Sequence, residues 1–204
     1  MVQCAKDLRY FCEITEAHEF GRLLWATGCD FNADSRSELI FLGDGAVWIW
    51  NLVSQYFPKA IQIVDWYHAE EHLEIIAKAV FSHDPQRSTW LEEVKQALWE
   101  GEVEQVISAC ETLAHSCDLA RKAAQYFSIN SERMRYGQFR EAGYVIGSGT
   151  VESACKQIVT QRLKLPGAQW TVSGAVQTAK ARAAWLSGYW SDLCIYQSPV
   201  PLAI

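Results

Sequence analysis

The chain has 204 residues, half of them hydrophobic and nine of them tryptophan, which is enough apolar mass for a packed core and unlike a disordered segment. Its net charge of −6 divides unevenly: residues 1–120 hold 8 Lys/Arg against 20 Asp/Glu, whereas residues 121–204 hold 10 against 4. That asymmetry is read two ways, as a polyanion-binding face on an acidic molecule or as two solvated surfaces of opposite sign.

No apolar run approaches the ~20 residues of a membrane span, and the first seven residues lack the layout of a signal peptide. A cytoplasmic protein with no membrane partner is expected. The seven cysteines include no Cys-x-x-Cys pair, which argues against a zinc knuckle or a disulfide framework and for reduced thiols.

Residues 9–15 carry the β-branched and aromatic content of a short strand. Residues 16–28 follow as a helix with Ala17, Phe20, Leu23 and Leu24 on one face. After a polar loop, Glu38 to Leu42 is a compact apolar run stopped by Gly43-Asp44-Gly45, the pattern of a buried parallel strand. A helix over 46–56 and a second buried strand, 60–64, then deliver Asp65. The alternation predicts an α/β fold, whose ligand sites lie beyond the carboxyl ends of the strands. Asp44 and Asp65 both stand there, 21 positions apart, a separation that suits a helical crossover.

From 67 to 142 the pattern is helical, with stripes at Leu73, Ile76, Ala77 and Val80, at Leu91, Val94 and Leu98, and at Val103, Val106 and Ile107. Residues 143–150 form a glycine-rich turn that opens a helix, with Ser148 or Thr150 as its cap. In that helix Val151, Ala154, Cys155, Ile158 and Val159 are expected to bury one side, leaving Glu152 and Lys156 on a flank. A further helix at about 171–187 and a tail from 191 complete the chain. The expected division is therefore 1–66, a helical insertion 67–142, 143–190, and the tail 191–204.

Asp44, between two glycines, is either a helix-capping turn residue or a ligand to a hard cation. His68 and His72 share a helix face, yet Ala69 stands where a zinc-protease motif needs Glu. They are either structural histidines or a zinc pair, with Asp65 expected to accept from His68 and fix its tautomer. Gly147-Ser148-Gly149-Thr150 lacks the Gly-Lys-Ser/Thr ending of a nucleotide loop, which excludes ATP or GTP binding there. Lys156, Arg162, Lys164, Lys180 and Arg182, interleaved with Trp170 and Trp185, suit phosphate neutralisation with some stacking. The two tryptophans are as readily core residues.

Three segments together resemble a bacterial insertion-sequence transposase: Leu42-Gly43-Asp44-Gly45-Ala46-x-Trp48-Ile49-Trp50-Asn51, Val64-Asp65-Trp66-Tyr67-His68-Ala69-x-x-His72-Leu73, and Tyr144-x-Ile146-Gly147-Ser148-Gly149-Thr150-Val151-Glu152-Ser153-Ala154-Cys155-Lys156. The group resembled is the Kra-type insertion sequences, allied to Mutator-like DDE transposases, over about residues 9–190. The resemblance implies a partial RNase H-like core interrupted by the all-helical insertion. It makes Asp44 and Glu152 the second and third catalytic acids and the ligands of Mg²⁺ (or Mn²⁺), with Asp65 and His68 as supporting residues. It implies DNA transposition, with insertion-sequence terminal repeats and target DNA as partners, a possible homo-oligomer, and a nucleoid-associated place in a bacterial cytoplasm. The family's first catalytic Asp has no counterpart here, so the expectation is the C-terminal portion of a transposase, inactive alone. The alternative is a non-catalytic fragment that binds DNA or a transposase as a regulator.

Overall fold

A computed structural model describes residues 7–191; the remainder of the predicted tail, 192–204, lies outside the described residues. In chain order the elements are α1 (Ala17–Asp30), β1 (Ile40–Gly43), α2 (Val47–Tyr56), β2 (Ile61–Val64), α3 (Trp66–Val80), α4 (Asp84–Glu100), α5 (Val103–Leu113), α6 (Asp118–Asn130), α7 (Tyr136–Glu141), α8 (Gly149–Cys155), α9 (Gln161–Leu163) and α10 (Val172–Leu186). The described chain is thus mostly helical, with one small parallel sheet, a mixed α/β arrangement. It falls into two compact units: residues 35–148 make one, and among the described residues the segments 7–34 and 149–191 make the other.

In the first unit, β1 and β2 pair in parallel with Ile40 opposite Ile61 and Gly43 opposite Val64. The crossover is α2, which buries Trp50, Leu52 and Val53. Ile63 and Val64 have no exposed surface, which is why a short apolar run settles here as strand. At the sheet's exit Asp65 caps α3, its Oδ1 accepting from the Tyr67 N–H at 2.9 Å. The α3 stripe is buried at Leu73, Ile76 and Ala77. Helix α4 has Pro85 in its first turn and stops at Gly101, which takes the left-handed φ of 83° that glycine adopts without steric cost.

Leu73, Ile76, Leu98, Val103, Val106, Phe127, Met134 and Tyr136 are all fully buried in this unit. Each such side chain contributes roughly 1.5–3 kcal/mol of transfer free energy. Polar contacts fasten the helices to the sheet as well. Tyr136 Oη donates to the Val64 carbonyl at 3.0 Å. Arg133 donates to Gln62 Oε1 at 2.8 Å and lies 5.0 Å from the Trp50 ring.

In the second unit the strand expected at 9–15 is absent. Strand content in the sequence needs a neighbouring strand to become a ladder, and among the described residues none pairs with this segment. The Tyr10 N–H instead donates to Ser187 Oγ at 2.8 Å. A small core gathers Ile158, Ala179 and Ala183, with Tyr10, Cys12, Val159, Leu163 and Leu186 packed on it.

The stripe expected to bury one side of the Glu152 helix is only partly covered. Ile158 is buried, but Val151 is 55% exposed and Cys155 is exposed. With Leu8 to Cys12, these residues line a cleft of about 270 Å³. Periodicity located the apolar face correctly but could not supply a neighbour broad enough to cover it.

After α8 the helix widens into a π turn, Lys156–Thr160. Such a turn leaves carbonyls in search of donors. Arg182 answers, with Nη2 at 2.6 Å and Nε at 2.9 Å from the Gln157 carbonyl. Helix α10 is capped by Thr171, whose hydroxyl accepts from the Gly174 N–H at 3.1 Å.

Candidate functional site

One residue past the Gly43–Val64 register stand Asp44 and Asp65, at the carboxyl ends of adjacent parallel strands. The ladder continues through them, the Asp65 N–H donating to the Gly43 carbonyl at 2.7 Å. The two acids differ in what they have left to offer. Asp65 is 6% exposed, and both of its oxygens are engaged: Oδ1 by the Tyr67 N–H, Oδ2 by the Ser148 hydroxyl. Asp44 is exposed, and among the described residues only its Oδ1 is held, by the Ala46 N–H at 2.9 Å. Asp44 is therefore the carboxylate of the pair with an oxygen to spare, and Asp65 is a structural anchor.

The loop bearing Asp44 is clasped by α6. Tyr126 Oη donates to the Asp44 carbonyl at 2.9 Å. One turn on, Asn130 Nδ2 lies 3.4 Å from the Gly45 carbonyl and donates to the Tyr126 carbonyl at 3.1 Å. Asn130 Oδ1 accepts from Trp50 Nε1 at 3.0 Å. Gly45 has φ +93°, and a Cβ on it would fall 2.6 Å from the Tyr126 ring, so no larger residue fits without displacing the tyrosine. Burial, with Asp44 and Asp65 nearby, pushes the Tyr126 hydroxyl well above its usual range, keeping it a donor at neutral pH.

The His72 ring packs on Tyr126 with centroids 4.2 Å apart, and His68 meets His72 edge-on at 5.2 Å. Burial, then the charge of His68, lowers the His72 pKa. The expected Asp65–His68 hydrogen bond is not made; Asp65 accepts from the Tyr67 N–H and the Ser148 hydroxyl. His68 Nδ1 lies 3.7 Å from Glu71 Oε2 instead. Among the described residues, no three His, Cys, Asp or Glu side chains gather as a metal-holding group.

The glycine-rich turn after α7 docks on the start of α3. The Trp66 N–H donates to the Ile146 carbonyl at 2.9 Å, and a Cβ on Gly147 would lie 2.8 Å from the Tyr67 ring. Ser148, expected as a helix cap, gives its hydroxyl to Asp65; the Thr150 side chain lies outside the described residues.

Glu152 belongs to the other unit, exposed in the first turn of α8. The five basic residues there divide. Lys180 pairs with Glu13, and Arg182 is spent on the Gln157 carbonyl. Lys156, Arg162 and Lys164 are exposed, with Arg162 lying 5.9 Å from the Trp170 ring. Trp170 and Trp185 are 38% and 61% exposed, so neither is core.

Tyr126 and Asn130 were not singled out by sequence reasoning. Their i,i+4 spacing at the end of an alanine-rich helix is visible, but their partners lie more than 80 positions upstream.

A family model covers residues 24–192, and so spans Asp44, Asp65, His68 and Glu152. The chain belongs to UPF0236, an uncharacterised protein family. No curated protein and no solved structure matches it. No helix among the described residues is long and apolar enough to cross a membrane.

Proposed function

We propose that this UPF0236 chain carries the second and third acids of a DDE-type transposase, on an RNase H-like core, and acts on DNA phosphodiesters at insertion-sequence ends. The observation that supports this reading most is Asp44: an exposed carboxylate at the carboxyl end of a parallel strand, next to the strand that presents Asp65, with one oxygen uncommitted among the described residues. That is where open α/β sheets place ligands. The all-helical stretch between β2 and the helix of Glu152 agrees with the insertion of the resembled family.

Asp44 and Glu152 are the residues assigned to hold Mg²⁺ or Mn²⁺; both are exposed carboxylates, the hard oxygen donors such ions take. A bound divalent ion would supply Lewis-acid activation of a water or a DNA 3′-hydroxyl and neutralise charge at phosphorus. The chain's own contribution is positional. The Ala46 N–H and the α6 clasp orient Asp44, while Asp65 joins the turn after α7 to the start of α3 through Ser148. Lys156, Arg162 and Lys164 offer positive charge for backbone phosphates. His68 stands beside Asp65 at the head of α3 as a supporting group.

The test is divalent-ion-dependent nicking and strand transfer on DNA bearing the element's terminal repeats, alone and with the element's other protein products. Loss of at least 100-fold in both Asp44→Asn and Glu152→Gln is expected, and undiminished activity in both would remove the assignment. A second reading, a non-catalytic DNA- or transposase-binding regulator, is favoured by the exposed Lys156, Arg162 and Lys164. Gel shifts that persist in EDTA and in Asp44→Ala, without nicking, select it.

A further inference from the structure

We infer that Tyr126, seconded by Asn130, is a positioning residue that sets the Asp44 carboxylate. The inference deepens the reading above and rests on it only for what Asp44 holds. Three contacts converge on two consecutive peptide units. Tyr126 Oη takes the Asp44 carbonyl at 2.9 Å, Asn130 Nδ2 approaches the Gly45 carbonyl at 3.4 Å, and the Asp44 side chain itself accepts from the Ala46 N–H.

A carboxylate that leads into Gly45 has wide freedom on that side, since a glycine resists little rotation. The clasp removes that freedom from outside the loop. Gly45 is the counterpart: its missing Cβ leaves room for the Tyr126 ring, which would otherwise meet it at 2.6 Å. Asn130 is 1% exposed and its amide is committed on both sides, to Trp50 Nε1–H and to the carbonyls of Tyr126 and Gly45. It cannot swing away without leaving buried polar groups unpaired. The helical stretch that reads in sequence as an insertion between strand and Glu152 helix therefore has a task at the strand ends, holding an acid in place.

Hydrogen exchange of the Ala46 amide reads the Asp44 position directly, because Asp44 Oδ1 is its acceptor. The variant is Tyr126→Phe, which keeps the ring against His72 and removes only the hydroxyl. Gly45→Ala perturbs the same contact from the loop side. In both, Ala46 exchange is expected to rise about tenfold while core amides of α5 stay unchanged.

Mn²⁺ titration, followed by paramagnetic broadening of the Ala46 amide, is the second arm, with Asp44→Asn as control. Where the wild-type chain binds Mn²⁺, Tyr126→Phe is expected to weaken that binding several-fold. Unchanged Ala46 exchange in Tyr126→Phe, or equal Mn²⁺ affinity in the two proteins, overturns the positioning role. Absence of Asp44-dependent broadening in the wild-type chain removes the metal-ligand reading and leaves the exchange result to decide the clasp.

Discussion

The two compact units are built to different standards. In residues 35–148 the buried side chains are large and drawn from most elements: Val53, Ile63, Leu73, Ile76, Leu98, Phe127 and Tyr136. Among the described residues of 7–34 and 149–191, the buried apolar side chains include Ile158, Ala179, Ala183 and Ala184, supplemented by partly buried neighbours. Asp44 and Asp65 thus stand on a densely packed frame, while Glu152 stands on a helix whose apolar side is half open. Preorganisation of a carboxylate requires that its support be locked by packing. The acid that the resemblance makes the third ligand has the thinner support.

That contrast is testable by truncation, beginning with the largest effect. Phe127→Ala removes a fully buried ring from the dense unit and is expected to cost about 3–5 kcal/mol, read from denaturant midpoints. Asn130→Ala should cost about 2–4 kcal/mol, since the Trp50 indole N–H and the Gly45 carbonyl each lose a partner in a buried setting. Ile158→Ala, although at the centre of its own core, is expected to cost only about 2 kcal/mol, because small alanine neighbours can close around the gap. A loss at Ile158 equal to that at Phe127 would erase the difference between the units.

The sequence made the dense unit legible where local chemistry decides the outcome. The apolar runs ending at Gly43 and Val64 became paired strands with the acids after them in register, but only β2 is buried, at Ile63 and Val64; β1, expected as a buried strand, has no buried residue, because it is partly open to solvent. Cooperative contacts were not legible. Residues 9–15 have strand composition but, among the described residues, no strand beside them, and a ladder is a property of two segments. The α8 stripe marks a face without saying what covers it. Lys180 and Arg182 read as free cations until Glu13 and the Gln157 carbonyl emerged as their partners. The hydrogen bonds of Tyr126 and Asn130 span 80 positions or more, beyond any periodic pattern.

The smallest expected effect concerns pH and lies in the dense unit alone. The partly buried His72 packs on Tyr126, and burial followed by the nearby His68 holds its pKa below the ordinary 6.5. Glu71 opposes this weakly. A histidine lowered on folding stabilises the neutral form, so its contribution is fully present above pH 6.5. As pH falls below that value the unfolded chain takes up a proton that the folded chain resists, and stability declines until the folded pKa is passed. Melting temperatures recorded between pH 8 and pH 5 should therefore fall on the acid side, and His72→Gln should flatten that slope. Because the same ring supports Tyr126, acidification should also speed Ala46 exchange beyond its intrinsic pH dependence, whereas the α10 amides of the other unit should show no such excess. An equal excess in α10 would show that the pH response is global and that His72 does not act through the Tyr126 contact.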